Sequence, residues 1–402
     1  MLRLNTPCVL YSVTLCRLLN RLCGNPDDTS TLDLNYITQQ DTPGQLTHST
    51  HIINLQIPNM SNSLPPSMRS IFQQEASSKT LTLTNTPLPT PDHAQGEHLI
   101  QIKACSPCAG ELLWPKNFPP QTARTLIPCP DMAGIVISAP SGSPFQPGDE
   151  VYARTNYIRP GNAREYSIAV TDELAHKPKC LSWVQAAAIP VSAQTAWQVL
   201  FIHALGTSGN GNGGEMDMEA AKVAWAGKRV LVTAASGGVG IWLVQLATML
   251  GAEVVGTCGS RNVEFVRSLG AKEVLDYRVV DLREWAMQLP SNKVDVVIDC
   301  VGGKALGDAW WTVKDGGVVL SIYQPPLQVC PDGFEDDSVK DLFFVMQPVR
   351  RQLEEISKLV EKGVCRGLVD SVWPLEQYEE AFRRLDGGHA KGKIVFDLSL
   401  NH

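Results

Sequence analysis

The chain has 402 residues, 44% of them hydrophobic and 19% charged, which is enough for two packed domains. A formal net charge of −7 argues against a nucleic-acid partner, and no uninterrupted apolar run of about 18 residues is present to span a membrane. Eleven cysteines without regular spacing make a disulfide framework a poor reading and a reducing compartment the default.

Residues 1–65 read as an extension. They are rich in Thr, Asn, Gln, Ser and Leu, with no carboxylate before Asp27. Arg3, Arg17 and Arg21 stand among leucines, the composition of a mitochondrial targeting helix. A disordered extension on a cytoplasmic protein, or a true start at Met60 or Met68, is the competing reading. From Met68 the text becomes globular. Strands are expected over 80–84, 98–104 and 133–138, and again over 150–153 after the turn Pro147-Gly148-Asp149. Helical patterning follows over 182–188 and 193–205, then the loop GTSGNGNGG at 206–214.

The stretch VLVTAASGGVG, 230–240, organises the second half. Residues 230–233 read as a buried parallel strand, 234–238 as a small-residue turn, and the apolar run from Ile241 to Leu250 as a helix that Gly251 caps. Such a turn brings backbone amides and a helix dipole to a pyrophosphate, although its first glycine position is Ala235. Further strands are expected over 252–257, 273–275, 294–299 and 317–322, with a helix over 262–269 capped by Gly270. Apolar strands alternating with helices mean a doubly wound parallel sheet. Where an NAD site carries an acid after the second strand, this chain reads Gly259-Ser260-Arg261-Asn262. With no carboxylate there to repel a 2′-phosphate, and with Ser260 and Arg261 to bind one, NADPH is the expected cofactor. Arg261 also reads as an exposed first-turn residue. The last 50 residues read as a helix over 349–363, a strand and helix over 369–385, and a final strand over 393–398.

AASGGVG, VRSLGAKEVLDY (266–277), PGDEVYA (147–153) and GGHAKGKIVF (387–396) resemble the medium-chain dehydrogenase/reductase superfamily. Within it they are similar to the zinc-independent quinone oxidoreductase and enoyl reductase branch, in order from about 68 to 400. The resemblance implies an α/β chain with a GroES-like β-rich catalytic domain, 66–192 completed by 345–402, and a Rossmann NADPH-binding domain, 193–344. It also implies hydride transfer to an activated C=C bond of an enone, quinone or enoyl thioester. A stand-alone enoyl reductase on carrier-bound acyl chains is one alternative, and a non-catalytic nucleotide-binding partner is another. A homodimer is consistent with the family.

Zinc-dependent relatives carry a catalytic Cys, a His-Glu pair and a four-cysteine lobe. Here Cys105 and Cys108 form a C-x-x-C, but the His-Glu segment reads Pro130-Asp131-Met132 and no four-cysteine cluster exists, so no metal is expected. By resemblance, Glu111 and Trp114 face the substrate. Trp114 occupies the slot of a tyrosine proton donor, and an indole N–H is not a useful acid. Tyr157 is a second candidate donor, with an exposed loop tyrosine as its alternative. Arg154 is a candidate to steady an enolate or a cofactor phosphate, with a surface salt bridge as its alternative. For the cofactor, Thr195 resembles the threonine against the nicotinamide, and Ser236, Gly237, Gly238, Val239 and Gly240 should surround the pyrophosphate. Ser260 and Arg261 should face the 2′-phosphate and Tyr277 the adenosine end, unless Tyr277 is core. Cys300, Val301, Gly302, Ile322 and Tyr323 lie at the carboxyl edge of the sheet, where ligands bind.

Overall fold

The computed structural model describes residues 64–119, 124–205 and 215–400, together with the backbone of Leu34–Tyr36 and Ser49–His51. Those two short strands pair antiparallel in a first unit, Met1–Leu64. The targeting or disordered reading of 1–65, and the loop at 206–214, otherwise lie outside the described residues. Everything below concerns the second unit, Pro65–His402.

Its first part is β-rich. Strand β1 (Ser67–Gln73) pairs antiparallel with β2 (Leu81–Pro87), and then come β3 (Glu97–Ser106), β4 (Asp131–Ser138), β5 (Glu150–Arg154), β6 (Tyr166–Val170) and β7 (Leu174–His176). Two helices follow, Trp183–Ala187 and Pro190–Gln198. The second carries the expected domain boundary at 192/193 inside its first turn and widens into a π turn over Val199–His203. The following part contributes β8 (Arg229–Val232), β9 (Glu253–Cys258), β10 (Glu273–Asp276), β11 (Val294–Asp299), β12 (Val313–Ser321) and β13 (Lys340–Phe343). The chain ends with the helix Arg350–Glu361, β14 (Val369–Trp373), the helix Tyr378–Asp386 and β15 (Lys393–Asp397).

Strands β8 to β13 form one parallel sheet in the order β10-β9-β8-β11-β12-β13. The order reverses between β8 and β11, so a ligand crevice opens at their carboxyl ends. Strand interiors such as Val230, Leu231, Val254, Val255, Val297 and Ile298 are fully buried. Such two-sided burial is why they read as continuous apolar runs. Gly251 and Gly270 are left-handed, with φ of 88° and 111°, as helix-capping glycines require.

The other sheet runs β14-β15-β3-β4-β5-β7, with β6 also on β3. Its composition is the α/β architecture of a GroES-like β domain completed by the C-terminal segment. Gly392, the residue just before β15, bridges Gly237 of the glycine turn, which brings the start of the last strand to the crevice.

Candidate active site

The crevice floor is the turn between β8 and the helix Gly238–Met249. Ala234, not Ala235, takes the left-handed conformation there, at φ +48°. Gly237 is the helix N-cap, and the first-turn amides beyond it are free for an anion. A Cβ on Gly240 would stand 2.3 Å from the Ala234 carbonyl oxygen, so only glycine lets helix and turn approach this closely. Ser236 Oγ accepts from Asn262 Nδ2 at 3.1 Å, and its carbonyl accepts from Gly392 N at 3.2 Å.

Sequence reasoning missed Asp299, which organises the neighbouring edge. This fully buried carboxylate accepts from Thr233 Oγ1 (2.8 Å), Ser321 Oγ (2.9 Å) and the amides of Val301 (3.2 Å) and Gly302 (2.8 Å). It ties together the carboxyl ends of β8, β11 and β12. Thr233 Oγ1 in turn accepts from the Cys300 amide at 2.8 Å. Gly302 is left-handed, and a Cβ there would fall 2.3 Å from the Tyr323 ring. Cys300, Val301, Gly302, Ile322 and Tyr323 therefore share one rim, with Tyr323 57% exposed. Thr195 stands apart from this picture. It is buried, and its hydroxyl donates back to Val191 O at 2.6 Å within its own helix.

At the far end of the crevice one expectation needs correction. Residues 259–262 hold no carboxylate, yet Asp276 arrives beside them from β10, register partner of Cys258, and accepts a hydrogen bond from Ser260 Oγ. That contact and the Arg278 amide hold the Asp276 carboxyl below its ordinary range. Tyr277 is 52% exposed, so it is not a core residue. A Cβ on Gly259 would lie 3.5 Å from Tyr277 Oη and 3.7 Å from Arg278 Cζ. Arg278, which sequence reasoning did not single out, thus joins Ser260 and Tyr277 around one spot, with exposed Arg261 next in the chain. The tripeptide Asp-Tyr-Arg after the third strand was the available signal.

The opposite wall comes from the β domain. Glu111 is 6% exposed, and its two oxygens accept from the Cys129 amide at 3.1 and 3.3 Å. Cys129 is left-handed at φ 70°, an uncommon conformation for a residue with a side chain. Burial pushes the Glu111 carboxyl up to about 8, against the pull of that amide and of Lys393. Trp114 opens a short helix (Trp114–Asn117) and meets the Tyr157 ring edge-on at 6.1 Å. Tyr157 Oη donates to the carbonyls of Trp114 (3.2 Å) and Phe118, so it is a tethered residue of this wall. Arg154 is 4% exposed, which removes the surface salt-bridge reading. Among the described residues its side chain makes no hydrogen bond or ion pair, its Nε is buried without a partner, and burial lowers its pKa. Asn162, fully buried, props the Cys129-Pro130 turn by donating to both carbonyls, at 2.9 and 3.0 Å.

Between wall and floor lies Lys393, from β15. Its ammonium donates to Pro107 O at 2.7 Å and pairs with Asp131 Oδ2 at 3.1 Å, while Asp131 Oδ1 accepts from the Val191 amide at 2.7 Å. Its stem packs 3.1 Å from the place a Gly238 Cβ would occupy. Burial opposes the Lys393 charge, but Asp131, Cys108 and Glu111 together raise its pKa above the ordinary lysine value.

Comparison with known proteins accords with this architecture. Residues 269–396 match the family model described as zinc-binding dehydrogenase. A probable zinc-binding oxidoreductase, mitochondrial, of Arthroderma benhamiae is 47% identical over 84% of this chain and 98% of its own length. A chloroplast envelope quinone oxidoreductase homolog of Arabidopsis thaliana is 34% identical over 70% and 81%. The solved quinone oxidoreductase from Coxiella burnetii superposes with a TM-score of 0.68 at 26% identity, over 83% of this chain and 99% of that one. The chain belongs to the medium-chain dehydrogenase/reductase superfamily, in its quinone-oxidoreductase-like branch.

In this medium-chain oxidoreductase the residues standing at the zinc-ligand positions do not fit a metal. Asp131, in the segment where zinc-dependent relatives carry His-Glu, is paired with the Lys393 ammonium at 3.1 Å, and Cys108 and Glu111 act on the same cation. Burial pushes the Cys108 thiol up to about 11 and the Cys129 thiol well above its usual value, so neither is a ready thiolate. Among the described residues no group of three or more His, Cys, Asp or Glu side chains is placed to hold an ion. No helix among them is long and apolar enough to cross a membrane.

Proposed function

We propose that this oxidoreductase is an NADPH-dependent, zinc-independent reductase of activated C=C bonds in enones, quinones or enoyl thioesters. The observation that carries the reading is Glu111, a buried carboxyl held protonated near neutrality beside the crevice. Reducing a C=C bond needs a proton delivered to carbon, and this group can deliver one. The glycine turn fits a dinucleotide pyrophosphate, and Ser260, Arg261, Tyr277 and Arg278 fit the adenosine 2′-phosphate. Bound there, NADPH supplies the hydride that the substrate β-carbon accepts. As the C=C pair shifts onto the carbonyl oxygen, the Arg154 guanidinium offers that oxygen a charge-assisted donor. Glu111 gives its proton to the α-carbon, and Trp114 and Tyr157 wall the site against water. Names of relatives support the oxidoreductase class and, for the Arthroderma protein, a mitochondrial destination.

NADPH consumption by the full chain tests this against quinones, enones and enoyl thioesters, with NADH and EDTA as controls. Turnover that prefers NADPH and survives EDTA is expected. A preference for thioesters would favour the biosynthetic enoyl reductase, whereas tight NADPH binding without turnover on any acceptor would overturn the reading for a non-catalytic partner.

Cofactor choice gives a sharper test. Arg278→Ala removes a charge-assisted bond worth about 1.5–3 kcal/mol and should cut the NADPH-over-NADH ratio of kcat/KM roughly 10–100-fold. Asp276→Asn removes the repelling carboxylate and should shift the same ratio the other way by a few-fold. Equal ratios in all three proteins would remove the 2′-phosphate assignment.

A further inference from the structure

We propose that the pocket under Trp114 and Tyr157 is an anion-binding subsite, in which Arg124, backed by Arg159, takes a carboxylate or phosphoryl group carried by the substrate. The inference rests on the reductase reading and narrows it to acceptors with an anionic head.

Leu112, Trp114, Pro115 and Leu126 give the pocket apolar walls, and Arg124, Arg159 and Glu111 its charged groups. Arg124 lies over the Tyr157 ring, Cζ to centroid 4.8 Å, and donates to Arg159 O at 3.2 Å. Two guanidinium groups thus line the pocket, and among the described residues the Nε of each is buried without a hydrogen-bond partner. Among the described residues one carboxylate pairs with them. Glu173 pairs with Arg159, while Asp131 is taken by Lys393. Glu111, the remaining acid of the lining, is held neutral by burial.

Buried charges without partners are costly, and guanidinium groups are the usual receptors for carboxylate and phosphate. The wall therefore carries one positive charge in excess, that of Arg124, next to an apolar slot. That combination suits an amphiphile whose apolar body bears the activated double bond and whose head is an anion. The cavity measures only about 30 Å³, so the substrate body lies outside it, across its opening.

Matched acceptors test this: a neutral methyl-ester enone and its free carboxylate, and a neutral short-chain enoyl thioester against its coenzyme A counterpart. Wild type should favour each anionic member by at least tenfold in kcat/KM, and the pairs distinguish a carboxylate from a phosphoryl head. Arg124→Met should collapse that ratio toward one, with Arg124→Lys in between. A general packing defect would lower both members alike and leave the ratio standing. As a readout independent of turnover, a saturated carboxylate such as hexanoate, added with NADP⁺ saturating, should raise the Tm of wild type and not of Arg124→Met. Turnover of neutral acceptors with no anionic preference would overturn the subsite and spare the reductase. Silence on every acceptor with hexanoate binding intact would instead remove the reductase reading.

Discussion

Replacing Lys393 by methionine should destabilise the protein by about 3–5 kcal/mol, the cost of leaving a buried charge without its partner. Asp131 is fully buried, one oxygen satisfied by the Val191 amide and the other facing only the ammonium. Without Lys393 the carboxyl must either stay charged in a dry site or take up a proton. Its folded-state pKa is already raised by burial, and losing the lysine raises it further. The stability of Lys393→Met should therefore be highest at low pH and fall as pH rises past the ordinary aspartate range. Adding Asp131→Asn removes the charge itself and should restore most of the loss at pH 7. Denaturant unfolding of both variants at two pH values checks this. A single mutant within about 1 kcal/mol of wild type would show that the pair is not the cation site described.

Glu111→Gln should lower kcat by roughly 10²–10⁴-fold, the usual worth of a positioned acid. The amide can still accept from the Cys129 N–H, so the turn keeps its support while the proton is gone. Wild-type kcat should hold near neutrality and fall as pH rises through about 8, where burial places the Glu111 carboxyl under the influence of Lys393, Cys108 and Asp131. In Glu111→Gln that alkaline limb should vanish from the residual rate. The same raised pKa sets a stability trend. The contribution of Glu111 is present in full below the ordinary glutamate pKa and is lost as pH rises through about 8, so the glutamine variant should unfold later than wild type at pH 8–9. An unchanged alkaline limb would assign the proton to another group.

The parallel sheet was legible because its strands are buried on both faces. Val294 to Asp299 reads from composition alone, whereas Lys340–Phe343, an edge strand with Lys340 and Asp341 exposed, shows no such run. The β domain was less legible at Tyr166–Val170 and Leu174–His176, which a single 3-10 turn separates. At the site, local motifs were readable and juxtapositions were not. Gly237 to Gly240 announces itself, since the turn needs those residues in sequence. Asp276 beside Ser260, and Lys393 beside Asp131, are products of strand pairing, and nothing local to Ser260 or Asp131 marks them. Arg154 was visible as a cation, but that its side chain is buried without an ion pair among the described residues became visible only in three dimensions.

The place of β15 has a consequence for how the chain is made. Pro107 and the lysine that holds its carbonyl are 286 residues apart. On a ribosome working at about 5–20 residues per second, the β domain waits on the order of tens of seconds for its last strand. Until then β3 has an open edge and Asp131 has no counter-charge, so the nascent chain cannot finish its catalytic half while the nucleotide half is already free to fold. Termination between residues 344 and 392 should therefore yield a complete parallel sheet tethered to an unfinished β domain, the form that quality-control proteases would meet first.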